Sequence, residues 1–140
     1  MVFVFHEKKL MLVDLEHRGW EFPGGHVEPG ESPEETFARE ALEEGCVEGV
    51  SEYLGCIIVD HNENLKWNET SKYPKVGYQV FYKMDIRHLH PFEKKHESHG
   101  RLFIDPTSVE DYYNEWNQLY EEILHIACTG RFKWKTGWKR

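Results

Sequence analysis

Residues 24–47 read GGHVEPGESPEETFAREALEEGCV, and this stretch decides the fold. It opens on a Gly-Gly turn and gathers glutamates around one arginine, Arg39. Ser32 is a good N-cap, Pro33 suits the first helical position, and Glu35 three residues on completes a capping-box pattern. Phe37, Ala41 and Leu42 supply an apolar stripe. Gly45 reads as the stop just past the last turn, which gives a helix of about 12 residues. Glu40, Glu43 and Glu44 then share one helix face. By themselves such carboxylates are an ordinary solvated face whose like charges repel. A hard divalent cation turns the repulsion into binding, because it takes oxygen ligands, keeps several waters and bridges to substrate phosphates.

On either side of this helix the chain mixes strands and loops. Val2 to Phe5 and Leu10 to Leu15 read as a hairpin around a polar turn, and Pro23-Gly24-Gly25 ends the next extended piece. Residues 53–60 and 78–86 read as strands separated by a long polar loop over 61–75. Residues 87–100 are polar and histidine-rich, and 101–104 form a short strand. Val109, Tyr112, Tyr113, Trp116, Leu119, Tyr120, Ile123 and Leu124 are spaced as one helix over 108–127. The basic tail from Thr129, with Trp134 and Trp138, shows little regular pattern. The expectation is one α/β domain over residues 1–140, a mixed sheet between two main helices.

Composition narrows the function. At 140 residues with 39% hydrophobic and 14% aromatic residues the chain can bury a core and is not a disordered segment. A net charge of −8 argues against long nucleic acid as a partner, though not against a small phosphate compound once a cation is bound. Cys46, Cys56 and Cys128 have no zinc or CxxC spacing and read as reduced thiols of a cytoplasmic protein. The N-terminus is charged too early for a secretory signal, and no apolar run is long enough to span a membrane. His88, His90, His96 and His99 match no tight metal-ligand spacing. Trp20 and Phe22 read as core, and Trp67 and Tyr73, on the long loop, as the better base-stacking residues.

The offsets Gly25, Glu31, Arg39-Glu40-Ala41-Leu42-Glu43-Glu44 and Val47 resemble the signature of the Nudix hydrolases, G-x5-E-x7-R-E-U-x-E-E-x-G-U, where U is a bulky aliphatic residue. Arg18 to Gly25 (RGWEFPGG) resembles the lead-in of MutT-like bacterial members, as does Tyr53-Leu54-Gly55 after the box. Two positions depart from the pattern. Ala41 is smaller than the usual aliphatic residue, and Cys46 stands where the family has its last glycine. Relatives also commonly carry residues ahead of the first hairpin that help bind the base, and here almost nothing precedes Val2.

The resemblance implies a Nudix-type α/β/α sandwich that uses Mg²⁺ or Mn²⁺ to hydrolyse a nucleoside diphosphate linked to another group. It places the metal on Glu40 and Glu44, with Glu43 in or beside the shell and Gly25 offering its backbone carbonyl. It pairs Glu31 with Arg39 and puts Glu28 behind the ligands. Glu97 is the expected general base, with Glu93 the second choice, and Arg18 is an expected phosphate contact. A MutT-like member implies pyrophosphate release from a nucleoside triphosphate, with oxidised purines such as 8-oxo-dGTP a typical substrate class. The alternatives are a dinucleoside polyphosphate, a nucleotide sugar or an RNA 5′-triphosphate end. From another class comes a catalytically silent nucleotide-binding module, for which Cys46 is the one supporting residue.

Overall fold

Strands β1 (Val2–His6) and β2 (Lys9–Leu15) are buried along most of their length, so both of their faces are covered. Alternation sorts their side chains. Val2, Val4, Met11 and Val13 enter one apolar cluster with Phe37 and Ala41, whereas Phe3, Phe5, Leu10 and Leu12 enter another with Ile123, Leu124 and Ala127. The computed structural model describes residues 1–62, 66–70, 75–94, 97–130 and 137–139. After the first two strands come β3 (Gly19–Glu21), α1 (Pro33–Gly45), β4 (Val47–Asp60), β5 (Val76–Leu89), β6 (Ser98–Ile104), α2 (Gln118–Thr129) and β7 (Gly137–Lys139). The strand order is β3-β2-β1-β5-β4-β7, with β6 paired to β2. β1 runs parallel to β5, and β4 antiparallel to β5, so the sheet is mixed. The cluster around Phe37 lies under α1 and the other under α2, which gives the expected α/β/α sandwich.

Several boundaries differ from the sequence reading. The helix expected over 108–127 is broken: Pro106–Asp111 form a 3-10 helix, and α2 starts only after Asn117. Asn117 Oδ1 accepts from Tyr120 N at 3.1 Å and caps the new helix. The apolar residues are nonetheless core residues, arriving from two directions. Tyr113 and Trp116 pack on Phe22 with ring centroids 5.2 and 5.9 Å apart, a packing that helical spacing cannot distinguish from one continuous face.

β4 and β5 are longer than expected, and β6 begins at Ser98. In the tail, Gly137–Lys139 adds a parallel strand beside Cys56–Ile58. Phe22 is buried and Trp20 packs against the α2-side core, as read. Trp67 is half-buried, with Lys75 Nζ 5.6 Å above its ring. Tyr73, His96 and Trp134 lie outside the described residues, as does the side chain of Trp138.

The ends of α1 position the site. At its start the capping box is complete, Ser32 Oγ accepting from Glu35 N at 3.2 Å and Glu35 Oε1 from Ser32 N at 3.1 Å. Leu42 is 44% exposed and does not join the buried stripe, which continues instead through Glu44 and Gly45. Gly45 is not the stop but the last helical residue. A Cβ there would come within 2.4 Å of Met11 Cε, so it is glycine for close packing on β2. The left-handed position falls to Cys46, with φ 57 and ψ 41. That conformation costs an L-residue about 1–2 kcal/mol, partly offset by the lower chain entropy of a non-glycine residue. Cys46→Gly should therefore stabilise the protein by about 0.5–1 kcal/mol in urea titrations. A destabilised variant would show that contacts of the thiol outweigh the backbone strain.

Candidate active site

The loop between β3 and α1 is bound to the helix by one guanidinium. Arg39 Nε donates to Glu31 Oε2 at 2.8 Å and Nη2 to Glu31 Oε1 at 3.0 Å, a two-pronged pair. Its Nη1 reaches Glu40 Oε1 at 3.0 Å and Glu43 Oε2 at 3.4 Å, and Nη2 lies 3.6 Å from Glu28 Oε1. Glu31 also accepts from Glu28 N at 3.1 Å and from Thr36 Oγ1 at 3.0 Å. Hydrogen bonds from Arg39 first, then from the Glu28 amide and Thr36, hold the Glu31 carboxyl down at about 2.

Loop and helix meet at the paired glycines. Gly24 N donates to Glu44 Oε1 at 3.2 Å. At Gly25 a Cβ would fall 2.6 Å from Glu40 Oε1, so only glycine lets the backbone come this close to the carboxylate. Glu44 is 7% exposed. Burial pushes its carboxyl well above the usual range. A hydrogen bond shared with Glu40 and the charges of Glu40 and Glu97 add to this, against the Gly24 amide. Glu40 and Glu44 are thus a carboxyl pair at a glycine backbone, with Glu97 close enough to be felt.

The structure therefore brings together Gly25, Glu40, Glu44 and Glu97, with Glu28, Glu31, Arg39 and Glu43 directly behind them. Arg18 is exposed, and its charge acts on Glu21. Glu93 is exposed, and its backbone N–H lies 3.5 Å from Cys46 Sγ. His88 and His90 stack 6.3 Å apart on the surface, and His90 Nε2 lies 2.7 Å from Glu48 Oε2. Among the described residues no three His, Cys, Asp or Glu side chains form a closed metal cage. The donor set at Glu40 and Glu44, two carboxyls set against a glycine turn, fits a hard cation that keeps part of its water shell.

Sequence reasoning missed Thr36, Ser98 and Arg101. Ser98 Oγ donates to Glu44 O at 2.6 Å, and Arg101 Nη1 to Gly45 O at 2.9 Å. One signal was present. The last turn of α1 holds no basic residue, so its carbonyls call for a cation from another element.

A sequence profile of the NUDIX domain matches residues 1–123. The chain belongs to the Nudix family. No curated protein sequence matches it. Among solved structures, a mutant of the Bacillus subtilis pyrophosphohydrolase superposes with a TM-score of 0.66 at 23% identity, covering 89% of this chain and 76% of that one. The MutT protein of Bacillus halodurans gives 0.65 at 18%, covering 91% and 79%. The Escherichia coli dihydroneopterin triphosphate pyrophosphohydrolase gives 0.65 at 13%, covering 91% and 92%. At these identities the likeness speaks for the fold. Membership makes the chain a Nudix hydrolase, acting on phosphoric anhydrides. Nudix hydrolases generally use divalent metal ions. No helix among the described residues is long and apolar enough to cross a membrane.

Two measurements probe the geometry. Glu31 sits at about 2 in the fold and at its ordinary 4.5 when unfolded. Its pairing therefore stabilises the protein fully above about 4.5 and is lost as pH falls toward 2. Denaturant titrations of wild type and Glu31→Gln should differ most at neutral pH and converge in acid. A gap independent of pH would break the assignment. Gly25→Ala should leave the fold intact but displace the Glu40 carboxylate, lowering turnover by about 10²-fold. Unchanged turnover would mean that Glu40 need not sit against this glycine.

Proposed function

We propose that the protein is a MutT-like pyrophosphohydrolase that cleaves a nucleoside triphosphate to the nucleoside monophosphate and pyrophosphate. The observation that carries this reading is the Glu40–Glu44 carboxyl pair set against Gly24 and Gly25, with Glu97 beside it. Glu40 and Glu44, with the Gly25 carbonyl, would hold Mg²⁺ or Mn²⁺. Such a cation offsets phosphate charge and makes water a better nucleophile at neutral pH.

The chain's own residues supply the rest. Arg39 holds Glu40 and Glu43 in place, and Glu31 and Glu28 hold Arg39. Glu43, half-exposed at the edge of this cluster and paired with Arg39, would lie in or beside the shell. Burial and the neighbouring Glu40 raise the Glu44 carboxyl, and a bound cation would oppose that shift by favouring the ionised form. Glu97, exposed on the turn before β6, accepts the proton of the attacking water. Arg18, exposed on the strand side of the Gly-Gly turn, would meet substrate only at an outer phosphate. Oxidised purine triphosphates such as 8-oxo-dGTP suit the MutT-like lead-in, and a solved MutT protein shares the fold. The substrate is a small molecule, in keeping with the acidic charge balance. The unpaired thiols Cys46, Cys56 and Cys128 suit the reducing cytoplasm.

The deciding experiment is a release assay with Mg²⁺ and Mn²⁺ over ordinary and 8-oxo purine triphosphates, dinucleoside polyphosphates, nucleotide sugars and 5′-triphosphorylated RNA. Pyrophosphate and phosphate are read separately. The expected result is pyrophosphate from a triphosphate, with turnover falling by at least about 10³-fold in folded Glu44→Gln. Phosphate from RNA ends, or cleavage of a nucleotide sugar, would move the substrate assignment within the family. Silence across the panel in both metals would favour a nucleotide-binding module.

A further inference from the structure

Glu97 stands immediately before β6, in a turn position. It lies near enough to the Glu40–Glu44 pair for its charge to act on Glu44. Beside the pairing of Ser98 with Leu15 in the sheet, hydrogen bonds of three residues hold it there. The Glu97 carbonyl accepts from Glu16 N at 2.9 Å, tying the turn to the end of β2. Ser98, 1% exposed, donates its hydroxyl to Glu44 O at 2.6 Å. Arg101, three residues further along β6, donates through Nη1 to Gly45 O at 2.9 Å and to His90 O at 2.8 Å. The two side chains thus fill carbonyls that the end of α1 leaves open, and they come from the strand that Glu97 leads into.

We propose that Ser98 and Arg101 are positioning residues, locking the Glu97 turn to the C-terminal end of α1 so that Glu97 and the Glu40–Glu44 pair keep one register. This rests on the reading of Glu97 as the base. A serine hydroxyl on a main-chain carbonyl is short and rigid, so it transmits a displacement of either element to the other. Glu44 presents its carboxyl to Gly24 and its carbonyl to Ser98, and one residue is therefore held from both sides of the site.

A merely structural cap would act on α1 whatever stands at position 97, and a double-mutant cycle separates the two cases. Steady-state kinetics with Mn²⁺ and the best triphosphate of the panel would compare wild type, Ser98→Ala, Glu97→Gln and the double variant. Ser98→Ala should lower kcat about tenfold with KM within about twofold, since it misplaces a group that acts in the chemical step. In the Glu97→Gln background the same change should cost less than about twofold. Equal losses in both backgrounds would overturn the lock and leave Glu97 as the base. No loss on Ser98→Ala in the wild type would also overturn it. If Glu97→Gln is itself without effect, the base assignment fails and the lock falls with it. Should Ser98→Ala not fold, Arg101→Met, which keeps the stem and removes the donors, takes its place in the cycle with the same expectations.

Discussion

The Arg39 guanidinium is the interaction on which the site depends. Its fork bonds Glu31 from the loop, while its remaining N–H groups hold Glu40 and Glu43 on its own helix. Without that cation, the loop and helix would bring together carboxylates that repel. With it, the glycine turn is held down on α1 and Glu44 can be buried against Gly24. The pair is two-pronged and planar, so it carries direction as well as charge, and a lysine could not supply both.

The fold gives this cluster a rigid base. α1 buries Phe37 and Ala41 on the sheet through Val2, Val4, Met11 and Val13, and Gly45 lets its last turn sit close on Met11. Close-packed layers of this kind do not deform continuously, so the carboxylates inherit the position of the helix. The two ends of α1 are treated differently. Its start is capped by its own neighbours, Ser32 and Glu35, and its end by Ser98 and Arg101 from a distant strand. The second arrangement ties β6, already paired to β2, and the residue before it to the helix that carries the acidic face.

Much of this was legible in the sequence. Capping box, helix length and the acidic face follow from local spacing, and local spacing is enough where a helix's own hydrogen bonds close within a few residues. The Glu31–Arg39 pair came from the family resemblance, and the geometry matches it. Spacing misled where tertiary contact decides. Leu42 belongs to the apolar pattern yet is exposed, while the charged Glu44 is buried in its place. The residues of 108–127 have one helical period but reach the core as a 3-10 helix, a turn and a helix, because Asn117 caps and Tyr113 and Trp116 pack sideways on Phe22.

By itself, then, the sequence determined the family, the mixed α/β class, the helix that carries the acidic face and the identity of its glutamates. Those properties are written in residue types at short, fixed offsets. Only the tertiary structure decided that Gly25 is a glycine because Glu40 Oε1 lies against it, that Cys46 rather than Gly45 takes the left-handed turn, and that Ser98 and Arg101 close the end of α1. Each of these depends on atoms brought together from distant parts of the chain, and no spacing rule encodes a contact between residues 44 and 98.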